Sequence, residues 1–333
     1  MVKLLDEESF FYIGGFCLGN YRKAVVIFLL LITLLTLTSC TQAEESKAKQ
    51  DIESIILSFE HPQTGQKFKI VNAYKLYQNY ADKVEINPEQ SQLEIYNEVV
   101  IKPIYSACFE NGEYPNMADE VLNVAPDLLS ENQRLSEKID REETENIIKE
   151  ALIKSSDLLP SGIETTVCVF PSTNTNILMT TVGAGKIIVL YNKYYNEDVL
   201  RSSMAHEYHH SVWTEKYLRN APPFTVLDSL IFEGKAFVFE KLVYPDIYIY
   251  PIYSAFNKYF WSKIVVDLEK HDLNRAYEIK LGGNGLPNRY GYSEGYKMVK
   301  SYLDLHPNAT PEEWTALSAT EIFEKGNYLE NYK

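Results

Sequence analysis

The chain has 333 residues, 45% hydrophobic and 23% charged, enough apolar material for one large domain or two modest ones. Its 46 acidic residues outnumber 32 basic ones, giving a formal net charge of −14. That balance argues against nucleic acid as a partner, because phosphate binding needs a positive patch.

Arg22-Lys23 precede an apolar run, Ala24 to Leu37, which ends in Leu37-Thr38-Ser39-Cys40. A basic start, a short apolar run and small residues before a cut describe a secretory signal peptide rather than a membrane span. An uncleaved N-terminal anchor is the alternative, and both place the domain outside the cytoplasm. Leu-Thr-Ser-Cys resembles the bacterial lipobox, which implies a lipidated Cys40 as the first mature residue and attachment to a membrane. Thr41 after it implies outer-membrane transfer in a Gram-negative cell, or retention on the outer face of the plasma membrane in a Gram-positive one. The stretch before Arg22 is long for a leader, so translation is expected to start downstream, near Leu18. Residues 1–39 are thus read as an extension and signal peptide, and 40–51 as the lipidated cysteine and a polar tether.

A compact domain starts at residue 52. Residues 52–160 form its N-terminal helical part and 161–333 the part that carries the chemistry. Phe68–Val71 is predicted as a short strand. Helical patterns follow near 72–82, 90–109 and 131–154. Thr165–Phe170 and Lys186–Tyr191 read as strands from their β-branched content, with a turn or bulge at Gly183-Ala184-Gly185. Cys108 and Cys168 either pair or stay free and buried; spacing does not decide between them.

The most informative stretch is His206-Glu207-Tyr208-His209-His210, inside a helical pattern from Glu197 to about Leu218. Histidines at i and i+4 stand one turn apart on one helix face, close enough to share a zinc ion at ~2.0–2.1 Å each. Glu207 points about 100° round the helix, within reach of a water on that ion. This is HExxH, and the spacing has a mechanical reason at each position. The bland reading is a chance match on a surface helix. Against it, apolar residues lie on both sides of this helix, as in a buried one, and buried histidines need partners. His209 lies off the ligand face and is read as an outer-shell or solvent-facing group.

A catalytic zinc usually takes three protein ligands. After a break at Asn220–Pro223, a second helix runs from Thr225 to about Leu242, with Glu233 among Leu230, Phe232, Phe237 and Val238. A carboxylate in that company should be paired or metal-bound, which makes Glu233 the preferred third ligand, with Asp228 and Glu240 as competitors. One Zn2+ per chain is expected. Glu207 would serve as general base and acid in hydrolysis.

HEYHH followed by Glu233-Gly234-Lys235-Ala236 resembles the gluzincins, zinc peptidases whose third ligand is a glutamate on the next helix. With Tyr290-Gly291-Tyr292-Ser293-Glu294-Gly295-Tyr296 it resembles more narrowly a bacterial family of predicted zinc-dependent proteases, over about Thr165–Lys325. Twenty-two residues lie between His210 and Glu233, more than in the best-known gluzincins, so the connection is expected to bulge. The resemblance implies an α+β, mostly helical zincin-like fold with a small sheet beside the HExxH helix, and peptide or protein substrates. It also implies an oxyanion-stabilising tyrosine, Tyr292 with Tyr290 in reserve, against simple packing of either. Lys186–Tyr191 would be the edge strand that pairs with substrate. A zinc-binding lipoprotein without proteolytic activity is the competing class. In the C-terminal half, Phe256–Leu268 is predicted helical, Gly282–Gly285 a flexible loop, and His271 and His306 surface residues.

Overall fold

A computed structural model describes residues 50, 52–126 and 128–333. The signal peptide, Cys40 and all of the tether but Gln50 lie outside the described residues. No helix among the described residues is long and apolar enough to cross a membrane. Contacts divide the chain into Met1–Ser54 and a compact unit Ile55–Lys333, which holds the sheet and the histidine motif.

The unit is α+β, as expected. Its sheet has five strands: β1 (Ile56–Glu60), β2 (Lys67–Val71), β3 (Thr165–Pro171), β4 (Met179–Gly183) and β5 (Lys186–Tyr191), in the order β1-β2-β3-β5-β4. β1 and β2 form an antiparallel hairpin, β2 and β3 pair in parallel, β3 and β5 pair in parallel, and β4 folds back antiparallel on β5. The edge strand on this side is therefore β4, and Lys186–Tyr191 is interior, contrary to expectation. The reason is topological: the chain leaves β3, runs out to the edge as β4, and turns at Gly183-Ala184-Gly185 to fill the slot between them. Gly185 takes φ +65° in that turn, and the register shifts between Thr181 and Gly183, matching the turn or bulge predicted there.

A parallel β2–β3 pair needs a long crossover, and the helices between them supply it. The pattern predicted for 90–109 is interrupted by a π turn at Asn97–Ile101 before helix α1 (Lys102–Cys108), whose second residue, Pro103, lacks an N–H. The pattern predicted for 131–154 is two helices, Leu129–Lys138 and α2 (Arg141–Leu158), because Asp140 accepts from Glu143 N at 2.9 Å and caps a new start. Cys108 and Cys168 form a disulfide, with Cα atoms 6.0 Å apart, that ties the end of α1 to the middle of β3.

Alternation decides the two sheet faces. Phe68, Ile70, Val167, Val169, Ile187 and Val189 turn to the main core, where α2, α3 (Glu197–Tyr217) and α4 (Val226–Val243) pack. α4 reads VLDSLIFEGKAFVFEKLV and is buried on nearly all sides, as a helix apolar all round should be. It lies between α3 and α6 (Tyr290–Leu305), with α5 (Leu273–Leu281) and α7 (Pro311–Ala316) completing the C-terminal layer. Only Lys258–Ser262 and a 3-10 turn at Val265–Asp267 are helical in the span predicted for 256–268.

Candidate metal centre

α3 starts where the sequence says it should. Asn196 accepts from Val199 N at 2.9 Å, and Glu197 and Asp198 sit in the first turn against the helix dipole. Twenty-one residues of helix then carry His206 and His210 under the sheet, one turn apart. Between α3 and α4 the chain makes a 3-10 turn at Leu218–Asn220, and Phe224 packs against Trp213 and Phe232.

Glu233 meets the two histidines. Its Oε2 lies 3.4 Å from His206 Nε2 and 3.2 Å from His210 Nε2, and the two Nε2 atoms are 3.1 Å apart. All three residues are buried, each below one-tenth exposed. Two ring nitrogens and a carboxylate oxygen converge on one point, as the ligands of a single ion do. The edges of a tetrahedron of ligands at 2.0–2.1 Å from zinc are about 3.3–3.4 Å long. The triangle fits that size, and two imidazoles plus one carboxylate is the donor set of a catalytic zinc with a free fourth position. Among the described residues, these three form the one group able to hold a metal.

The competing carboxylates have other work. Asp228 is the third residue of α4 and closes a capping box, accepting from Thr225 N at 2.9 Å while Thr225 Oγ1 accepts from its own N–H. Glu240 stands behind His206, with Oε2 3.4 Å from Nδ1, while its Oε1 accepts from Ser202 Oγ at 2.5 Å. Burial depresses the His206 imidazolium, but Glu233 and Glu240 outweigh it and hold the group up to about 10. Glu233 in turn is held well below the usual carboxylate range: burial opposes ionisation, and Lys280 and the histidines overcome it. Lys280 Nζ, on α5, donates to Glu233 Oε1 at 2.9 Å and leaves Oε2 for the triangle.

Glu207 is half-buried beside β4, and Thr181 Oγ1 lies 2.9 Å from its Oε2 and 2.8 Å from its backbone oxygen. Thr181 was not expected from the sequence. His209 is fully buried, not solvent-facing: it stacks on Trp314 and its Nε2 is 3.2 Å from Thr315 Oγ1 on α7, so burial pushes its imidazolium well down. Lys235 reinforces the same junction by donating to Thr315 O at 3.0 Å.

Of the two tyrosines, Tyr292 lies on the side of the site: its ring is 6.0 Å from that of Phe237, which packs edge-on to His206 at 5.4 Å. Its hydroxyl is pushed well above its ordinary value, first by the Glu233 charge and then by burial. Tyr290 is buried on the other side of α6, against Phe260 and near Glu294. Two glycines allow this approach. A Cβ on Gly234 would lie 2.2 Å from Gly295 O, and one on Gly295 would lie 2.0 Å from Leu230 O, so α4 and α6 cross with their backbones in contact.

A scan against protein-family models matches residues 144–324 to a family described as predicted Zn-dependent proteases. The chain belongs to that family. The match runs from within α2 into the α-helix Ala319–Lys325 and covers β3, β4, β5 and the whole His206–His210–Glu233 cluster, while β1 and β2 precede it. No curated protein and no solved structure matched in the companion searches.

Proposed function

We propose that this member of the predicted Zn-dependent protease family is a lipid-anchored, extracytoplasmic metallopeptidase that hydrolyses peptide bonds. The observation that carries the reading is the buried triangle of His206 Nε2, His210 Nε2 and Glu233 Oε2, with edges of 3.1–3.4 Å. Those three residues would hold one zinc per chain. Zinc, when bound, supplies Lewis acidity and lowers the pKa of a coordinated water from about 15.7 to about 7.

The chain's own groups then have distinct tasks. Glu207, oriented by the Thr181 hydroxyl, takes the proton of the attacking water and passes it to the leaving amine. Tyr292, on α6 beside the cluster, donates to the oxyanion that develops on the substrate carbonyl. Glu240 fixes the ring orientation of His206 from behind, and Lys280 directs Oε2 of Glu233 inward, as outer-shell partners of metal ligands commonly do. Placement outside the cytoplasm rests on the Arg22–Cys40 pattern and is supported by the Cys108–Cys168 disulfide, a bond that persists in oxidising compartments.

The test is elemental analysis together with peptide turnover. Wild type should carry one zinc; Glu207→Gln should keep it and lose about 100- to 10,000-fold in kcat. Undiminished turnover by pure Glu207→Gln protein would remove Glu207 from the mechanism. For the anchor, Cys40→Ser should release the protein from the membrane fraction and abolish incorporation of labelled fatty acid.

A further inference from the structure

Among the described residues, four that are not glycine take a positive φ: Asn111, Asn284, Asn327 and Arg289. Asparagine tolerates the left-handed region; an arginine there is unusual. Arg289, at φ +56° and ψ 32°, is the residue before α6. Its N–H donates to Leu281 O at 2.9 Å, and its carbonyl accepts from Ser293 N at 3.3 Å. Glycine or asparagine would serve that turn with less strain. What arginine adds is a side chain held in one place.

That side chain is held without being neutralised. Its Cζ lies 3.5 Å from the centre of the Tyr250 ring and 5.7 Å from that of Tyr292. The other half-buried arginines among the described residues, Arg141, Arg201 and Arg275, each have a carboxylate oxygen within 2.8 Å. Arg289 has none among the described residues, in a chain with 46 acidic residues against 32 basic ones. Stacking covers one face of the guanidinium and leaves its N–H edges free to take a partner. The platform belongs to the irregular segment 244–257, which α6 itself ties down: Tyr253 N donates to Ser293 Oγ at 3.1 Å, and Lys297 Nζ donates to Ala255 O at 3.0 Å.

The stack borders the metal cluster. Tyr292 reaches His206 through the Phe237 ring. Its hydroxyl lies in the combined field of Glu233, Arg289 and Glu207. The Tyr195 hydroxyl, raised first by burial, feels Glu207 and Tyr250 together. Glu207, Tyr250, Arg289 and Tyr292 are half-buried, whereas His206, His210 and Glu233 are buried, so the stack lies on a side of the cluster that solvent reaches.

We propose, building on the peptidase reading above, that Arg289 sets the specificity of this site: stacked on Tyr250, it binds a carboxylate of the peptide substrate near the bond that is cut. The two oxygens of a carboxylate match the guanidinium fork. An anionic group would otherwise be repelled by Glu207 and by the net charge of −14, so one unpaired cation decides which substrates are admitted. The carboxylate is either the C-terminus of a short peptide or an acidic side chain within it.

The experiment uses the full chain loaded with zinc and two arms of N-acetylated hexapeptides. One arm compares a free C-terminal carboxylate with a carboxamide. The other, all carboxamides, compares Asp or Glu with Asn or Gln at each position. Products are mapped by mass spectrometry, and binding is measured by calorimetry in the Glu207→Gln background. At least one arm should favour the charged peptide by about ten-fold or more in kcat/KM and in Kd, and which arm does so names the source of the carboxylate. Arg289→Gln should bring the ratio of charged to neutral peptide to about one. Arg289→Lys, which keeps the charge without the fork, should restore part of it. Arg289→Asn, which suits the left-handed turn, should retain one zinc per chain and lose the preference equally. A ratio near one in both arms for wild type, or a preference that survives Arg289→Gln, would overturn the proposal. If no peptide is cut, the peptidase reading fails, and the binding ratios decide this inference on their own; if no peptide binds either, both fall.

Discussion

α6 carries two buried carboxylate environments on opposite faces, and only one has the marks of a functional site. On one face Tyr292 looks toward Glu233, whose Oε2 confronts two imidazole nitrogens. On the other, Glu294 is fully buried, yet Lys297 Nζ lies 2.9 Å from its Oε2 and the hydroxyls of Tyr328 and Tyr332 donate to its Oε1. The second cluster is neutralised within the chain: Oε1 meets two hydroxyls and Oε2 an ammonium. In the first, two ring nitrogens and a carboxylate oxygen converge within 3.4 Å of one another, the spacing that the ligands of one ion take. Burying a carboxylate is therefore no sign of chemistry; the sign is a set of lone pairs aimed at one point.

Paired substitutions should separate the two regions. Glu294→Ala leaves Lys297 uncompensated in the core and should cost about 3–5 kcal/mol in urea unfolding, equally with and without zinc, while zinc stoichiometry stays at one. Glu233→Ala should do the reverse: the metal is lost, and with it the difference in unfolding midpoint between zinc-treated and chelator-treated protein. Equal responses in both assays would dissolve the comparison. A smaller effect is expected from Lys280→Met, which frees Glu233 Oε1 and should weaken zinc binding by about 10- to 100-fold in a competition titration with a chromogenic chelator. Smallest is Asn196→Ala, which removes the cap of α3 and should lower stability by about 1 kcal/mol without changing zinc affinity.

The ligand helix was legible because its information is local. His206 and His210 need only helical spacing, and Asn196 needs only its own first turn. Apolar company ranked Glu233 over Asp228 and Glu240, and Glu233 is the carboxylate that meets both histidines. The sequence could not show that Asp228 spends its carboxylate on Thr225, or that Glu240 backs His206, since both facts depend on side-chain direction. Thr181 and Lys280 were invisible because their contacts with Glu207 and Glu233 span 26 and 47 residues. β4 was missed for a related reason. Its sequence, MTTVG, is short and ends in glycine, and which strand forms an edge is decided by chain path rather than by composition. The break at Asp140 inside a helical pattern needed the capping bond to be seen.

The crossing of Gly234 and Gly295 has a consequence for inheritance. Gly234 follows the ligand Glu233 in the chain, Gly295 lies on the facing helix, and neither has a side chain with which to act. Yet a single methyl at either point must push α4 and α6 apart, and with them Glu233 from Tyr292. In a saturation-mutagenesis screen both positions should behave like catalytic residues, failing with every replacement. A gain of bulk at one could be rescued only by a loss of bulk at the other, and glycine has none to lose. Missense changes here have no second-site remedy across the contact, so the two short motifs must be passed on together or not at all.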